Sequence, residues 1–165
     1  MDGSIVTMAL VRKQNFIHID DHNDQTIISL IHIKAANSNS SSRRVSVGAH
    51  DIVLSQAVKN LRYANRKNLI QDLTERTTNS QNKMCWFENK IIQSSDFLTK
   101  LSSLNSNPTK IKTRVIVIQP HTTKSYYTKT QNNNIKRQLD VLLVSSDNAI
   151  KSSGADFHII GFNDD

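Results

Sequence analysis

A mixed β-sheet flanked by helices, in the α/β class, is the fold this sequence predicts. Three observations carry it. Two short runs rich in β-branched residues, Asn15-Phe16-Ile17-His18-Ile19-Asp20 and Ile27-Ile28-Ser29-Leu30-Ile31-His32-Ile33-Lys34-Ala35, are split by the polar Asp21-His22-Asn23-Asp24-Gln25 and read as an antiparallel hairpin. The aliphatic run Val115-Ile116-Val117-Ile118, closed by Pro120, reads as a buried strand. Between and after these, apolar residues recur at helical spacing, and strands alternating with helices describe an α/β domain.

Taken in order, residues 1–13 are mildly apolar and could form a short strand ahead of the hairpin. The polar stretch Asn37-Ser38-Asn39-Ser40-Ser41-Ser42 then ends in the basic pair Arg43-Arg44, a loop that could touch phosphates. From residue 46 to about 63, Val53, Ala57, Val58 and Leu61 form one apolar stripe, so a helix is expected, with Lys59 and Arg62 giving its far end a basic character. Leu69, Ile70 and Leu73 suggest a second short helix over 68–75. Met84-Cys85-Trp86-Phe87 is read as partly extended, and residues 96–101 as a helical turn or two, capped by Ser94 or Ser95. After the strand ending at Pro120, residues 121–134 are polar. Ile135, Leu139, Leu142, Leu143 and Ile150 then mark a helix that Gly154 closes, and a last strand follows over 157–161.

The bulk numbers narrow the classes. At 165 residues the chain is read as one domain over 1–165, large enough for a core without staples. Lys and Arg number 21 against 14 Asp and Glu, a formal charge of +7 that favours a polyanionic partner, nucleic acid before membrane. The single cysteine, Cys85, rules out an internal disulfide framework and a zinc site of paired cysteines. With 4 glycines and no Gly-rich phosphate loop, a nucleotide-binding loop is not expected. No run is long and apolar enough to span a membrane and the start lacks a signal peptide's pattern, so a cytoplasmic location is expected.

The chemistry concentrates in the second hairpin run. His32 and Lys34 lie two residues apart and leave the strand on one face, and polar groups inside an aliphatic strand are costly unless something uses or pairs them. Leu30-Ile31-His32-Ile33-Lys34-Ala35, followed in the next helix by Gln56-Ala57-Val58-Lys59-Asn60-Leu61, resembles a family of bacterial restriction-endonuclease-like proteins often fused to superfamily-2 helicases in phage-defence settings. Its members carry an Asp-Phe-Ile strand, then Phe-Ile-His-Ala-Lys-Ala, then Gln-Ala-Val-Lys-Asn-Leu. Val117-Ile118-Gln119-Pro120 and Ser153-Gly154-Ala155-Asp156-Phe157 resemble the family's C-terminal part, so the resemblance spans most of residues 15–160.

The resemblance implies a restriction-endonuclease-like fold acting on DNA, ahead of RNA, with a helicase or other defence subunit as partner. Asn15, His32, Lys34 and Gln56 become the candidate catalytic set, and Arg43, Arg44, Lys59 and Arg62 the candidate nucleic-acid contacts. In that superfamily two carboxylates hold Mg²⁺ against the scissile phosphate, and a lysine positions the attacking water. Here the family's strand acid falls on Asn15, and His32 stands where a carboxylate is usual. Asp20 is expected opposite Thr26, ~20 Å along the strand from His32, too far to replace it. Family members also carry acids upstream of the hairpin, where this chain offers only Asp2, so it looks N-terminally shortened or completed by another chain. Glu88-Asn89-Lys90 repeats the Glu-x-Lys spelling but lacks an acid-bearing hairpin partner, and is read as a solvated pair near an aromatic anchor. Two readings follow: a metal-dependent endonuclease using Mg or Mn, or an eroded nuclease fold that holds nucleic acid or a partner without cutting.

Overall fold

The computed structural model describes residues 4–10, 15–22, 25–34, 45–79, 85–88, 90–104, 110–129 and 133–162. Three strands, β1 (Ser4–Leu10), β2 (Asn15–His22) and β3 (Gln25–Ile33), form an antiparallel meander. Helix α1 (Val47–Lys59), a 3-10 turn (Asn60–Ala64) and α2 (Arg66–Asn79) follow. A small hairpin, β4 (Cys85–Phe87) and β5 (Lys90–Ile92), then leads into α3 (Ser94–Ser103). Strand β6 (Ile111–Thr123), helices α4 (Lys124–Lys129) and α5 (Asn133–Ser152), and β7 (Ala155–Phe162) complete the chain. The sheet order is β5-β4-β1-β2-β3-β6-β7. β3, β6 and β7 are mutually parallel while the rest pair antiparallel, so the sheet is mixed, as the sequence predicts.

Register aligns the apolar residues into rows. Ile17 of β2 faces Leu30 of β3, which faces Val115 of β6. Ile19 faces Ile28, and these side chains are all buried. On that face α2 and α3 contribute Leu69, Leu73, Phe97 and Leu101 to one cluster with β2 and β3. α1 and α5 contribute Val53, Leu54, Ala57 and Ile150 to a second cluster with β6 and β7. The meander and the parallel strands are therefore joined under one layer of helices, with α1 packed on β3, β6 and α5.

Local chemistry explains the element ends. The Ser46 hydroxyl accepts from the Ala49 amide at 3.3 Å and starts α1. The helix ends at Lys59 rather than running to 63, because the chain tightens into the 3-10 turn that buries Tyr63. α3 begins one residue earlier than the serine-cap reading: the Gln93 carbonyl accepts from the Asp96 and Phe97 amides at 3.1 and 3.2 Å, so Ser94 lies inside the helix. Pro120 does not close β6, which continues to Thr123; the proline falls in the register shift between Ile118 and Thr123, where a missing N–H costs no ladder bond. Gly154 ends α5 as expected, with φ +83° and its amide donating to the Lys151 carbonyl at 2.9 Å.

Phe97 has no exposed surface at the heart of the first cluster. Phe97→Ala is expected to lower the unfolding free energy by about 3–5 kcal/mol, measured by urea denaturation. A loss below about 1 kcal/mol would contradict this packing.

Candidate functional site

The β2–β3 register sets Asn15 directly opposite His32. Residues facing one another across an antiparallel pair share a face, and here the two side chains meet: His32 Nδ1 lies 3.0 Å from Asn15 Oδ1. With the amide oxygen turned to the ring, Nδ1 carries the proton and Nε2 keeps its lone pair. His32 is 2 % exposed, and burial pulls its pKa from 6.5 down to about 4, so the imidazole is neutral at pH 7. Its Nε2 is buried with no hydrogen-bond partner among the described residues.

His50, also buried, shows the contrasting case. Its Nδ1 donates to the Ser46 carbonyl at 2.8 Å and its Nε2 meets Thr122 Oγ1 at 3.0 Å, so both ring nitrogens are occupied by structure. His32 has one nitrogen spent on structure and one left over.

His32 lines a pocket of about 370 Å³ between the hairpin, the end of α1, the 3-10 turn and α2. Asn15, His32 and Gln56, three of the four predicted catalytic positions, line it, as do Lys59 and Arg62. Gln56 is exposed at the lip beside the buried Val53 and Ala57, which explains an amide interrupting the α1 stripe. Arg76 of α2 adds a third cation to the lining.

The two arginines are held by Tyr63. Arg62 Nη2 donates to its hydroxyl at 2.6 Å and Arg76 Nη2 at 2.9 Å, and the hydroxyl donates to Asp72 Oδ2 at 2.9 Å. The Arg62 guanidinium lies 4.7 Å from the centre of the Tyr63 ring. Arg76 Nε sits 2.5 Å from Asp72 Oδ2, while Arg62 Nη2 is 3.9 Å from Oδ1. Its hydrogen bond to Tyr63 pushes the Arg62 pKa further up. One carboxylate thus stands against two guanidinium groups, and Lys59 adds a third positive charge.

Lys34 follows His32 by two residues on the same face, and its amide donates to the Ile118 carbonyl at 3.1 Å, but it does not line the pocket. Arg43 and Arg44 lie outside the described residues. Asp20 faces Ile27 rather than Thr26; Asp21 takes the Thr26 position, and the Thr26 hydroxyl donates to it at 2.6 Å. The hairpin is shifted by one residue from the expected pairing. Asp20 thereby moves to the opposite face from His32, and the nearest acid on the His32 face, Asp21, remains at the far end of the strand. Glu88 sits at the exposed β4–β5 turn with φ 47°, away from the pocket.

Sequence reading missed four residues. Arg76 looked like an ordinary charge near a helix end, and Tyr63 and Asn60 like the tail of one continuous helix; only the 3-10 turn brings them to the pocket. Gln119 lies two residues beyond Val117, the partner of His32, and is 1 % exposed, with both amide atoms unpartnered among the described residues. Its signal was a lone amide ending an aliphatic run. With Lys34 it makes the carboxyl end of the parallel strands polar.

The described lining does not suit the Mg²⁺ that the resemblance implies. Mg²⁺ takes oxygen ligands, chiefly carboxylates, and among the described residues no carboxylate lines this pocket. The Asn15 oxygen is engaged by His32, and Asp72 by Tyr63 and Arg76. Comparison of the chain with protein-family models, curated proteins and solved structures gave no match.

The neutral imidazole sets a pH dependence. Below 6.5 the unfolded chain protonates this histidine while the folded chain does not until about pH 4. Stability is therefore full above about pH 6.5 and falls as pH drops toward 4, by on the order of 3 kcal/mol. In urea denaturation, His32→Leu should flatten that part of the stability–pH curve. A variant curve parallel to the parent's would contradict a buried neutral His32.

Proposed function

We propose that this chain is a restriction-endonuclease-like domain that holds nucleic acid, DNA ahead of RNA, without itself supplying a complete metal site. One observation carries the reading: Arg62 and Arg76 converge on a single phenolic oxygen with Asp72 as the one carboxylate offsetting them among the described residues, and Lys59 lines the same pocket. Like charges gathered this way are stabilised when an anion joins them. Arginine binds phosphate oxygens through a planar fork, and the Tyr63 bonds fix that fork in advance. Contacts of this kind hold the backbone and carry little sequence preference. The resemblance to phage-defence nuclease domains puts DNA first and makes a helicase or other defence subunit the expected partner.

Metal-dependent hydrolysis is the second reading, favoured by Asn15, His32 and Gln56 meeting in one pocket. It would require carboxylates from elsewhere, since Mg or Mn would find an imidazole and amides here.

Fluorescence anisotropy with a labelled oligonucleotide, titrated at several salt concentrations, tests the reading. Arg62→Ala and Lys59→Ala should each weaken binding several-fold and each reduce the salt slope by about 1. Plasmid and single-stranded DNA should stay uncut with Mg²⁺ or Mn²⁺. Unchanged affinity and salt slope in both variants would contradict the proposed role of the pocket. Metal-dependent cutting abolished by Lys34→Ala would establish the second reading instead.

A further inference from the structure

We propose that the pocket receives one nucleotide at a time, its phosphate on Lys59, Arg62 and Arg76 and a donor group of its base on His32 Nε2. The inference rests on the nucleic-acid reading above and narrows its substrate to a strand end or an unstacked base.

The pocket is chemically graded. Lys59 and Arg62 are exposed and Arg76 half-buried, whereas His32 is 2 % exposed. A phosphate suits the outer end but not the inner one. The neutral His32 presents a lone pair at Nε2, and phosphate oxygens also present lone pairs, so the two cannot bond. The inner end calls for an N–H or O–H donor. A buried acceptor left without a donor costs free energy that a ligand carrying one would recover.

Every base offers such a donor, as an exocyclic amino group or a ring N–H. Gln56 at the lip and the half-buried Asn60 line the pocket with amides that can both give and accept hydrogen bonds. At about 370 Å³ the pocket falls within the range of small-molecule sites, roughly 300–1,000 Å³, and is far larger than a phosphate group needs. A base paired and stacked in a duplex cannot reach a buried nitrogen, so only an unpaired base can enter.

The test is calorimetric titration of the full chain with AMP, CMP, ribose 5-phosphate and inorganic phosphate. At least one nucleotide should bind ten-fold or more tighter than ribose 5-phosphate. His32→Leu should bring nucleotide binding down to the ribose 5-phosphate level while leaving ribose 5-phosphate unchanged. Gln56→Ala, at an exposed position, should lower nucleotide affinity in the same direction and serves where His32→Leu fails to fold. Equal binding of nucleotides and ribose 5-phosphate would overturn the inference and leave a phosphate site. So would oligonucleotide binding without any mononucleotide binding; in both cases the nucleic-acid reading survives. Loss of oligonucleotide binding as well would remove that reading too.

Discussion

The bond between Asn15 and His32 does two things at once. It joins the first residue of β2 to the inner face of β3, and it settles which imidazole nitrogen carries the proton. The side-chain period of a strand is two, so a slip of one residue would send His32 to the other face and bring Ile31 to the pocket. The aliphatic rows beneath it, Ile17 on Leu30 and Ile19 on Ile28, hold the same register through burial. The polar pair at the end of the hairpin is thus placed by the apolar packing along its length. Burial keeps the ring neutral, and the amide partner holds its proton on Nδ1.

The second half of the site is assembled by a change of helix type. Had α1 continued without interruption to residue 63, Tyr63 would have followed the α-helical spiral. The 3-10 turn instead buries its ring and turns its hydroxyl to Asp72 and Arg76 of α2. One phenol then anchors two guanidinium groups, and its own hydrogen-bonding capacity is filled. Structure and electrostatics meet in that residue: the ring belongs to the first hydrophobic cluster and the hydroxyl to the basic wall of the pocket.

Much of this was legible in the sequence where periodicity was strong. The hairpin, α1, β6 and α5 all announce themselves by apolar spacing, and His32 stood out as a polar group inside the aliphatic run of β3. Turn geometry was less legible, because Asp21-His22-Asn23-Asp24-Gln25 permits more than one pairing and no residue in it forces a choice; the pairing came out one residue from the expected register. Arg76 and Tyr63 were invisible as site residues, since their role depends on a tertiary meeting of α2 with the 3-10 turn. Lys34 was the reverse case: its motif spacing pointed to the site, but the strand carries it beyond the pocket wall. Pro120 reads as a stop in sequence, yet a local register shift absorbs it.

The account turns on one atom, the unpartnered Nε2 of His32. Long-range ¹H–¹⁵N NMR of the imidazoles, recorded with and without a short single-stranded oligonucleotide, reads that atom directly. The expected result for the free protein is a neutral ring protonated at Nδ1 down to about pH 5, with the Nε2 resonance shifting on oligonucleotide addition as the lone pair accepts a hydrogen bond. A His32 that titrates near its ordinary value of 6.5, or an Nε2 signal unmoved by a saturating oligonucleotide, would contradict it.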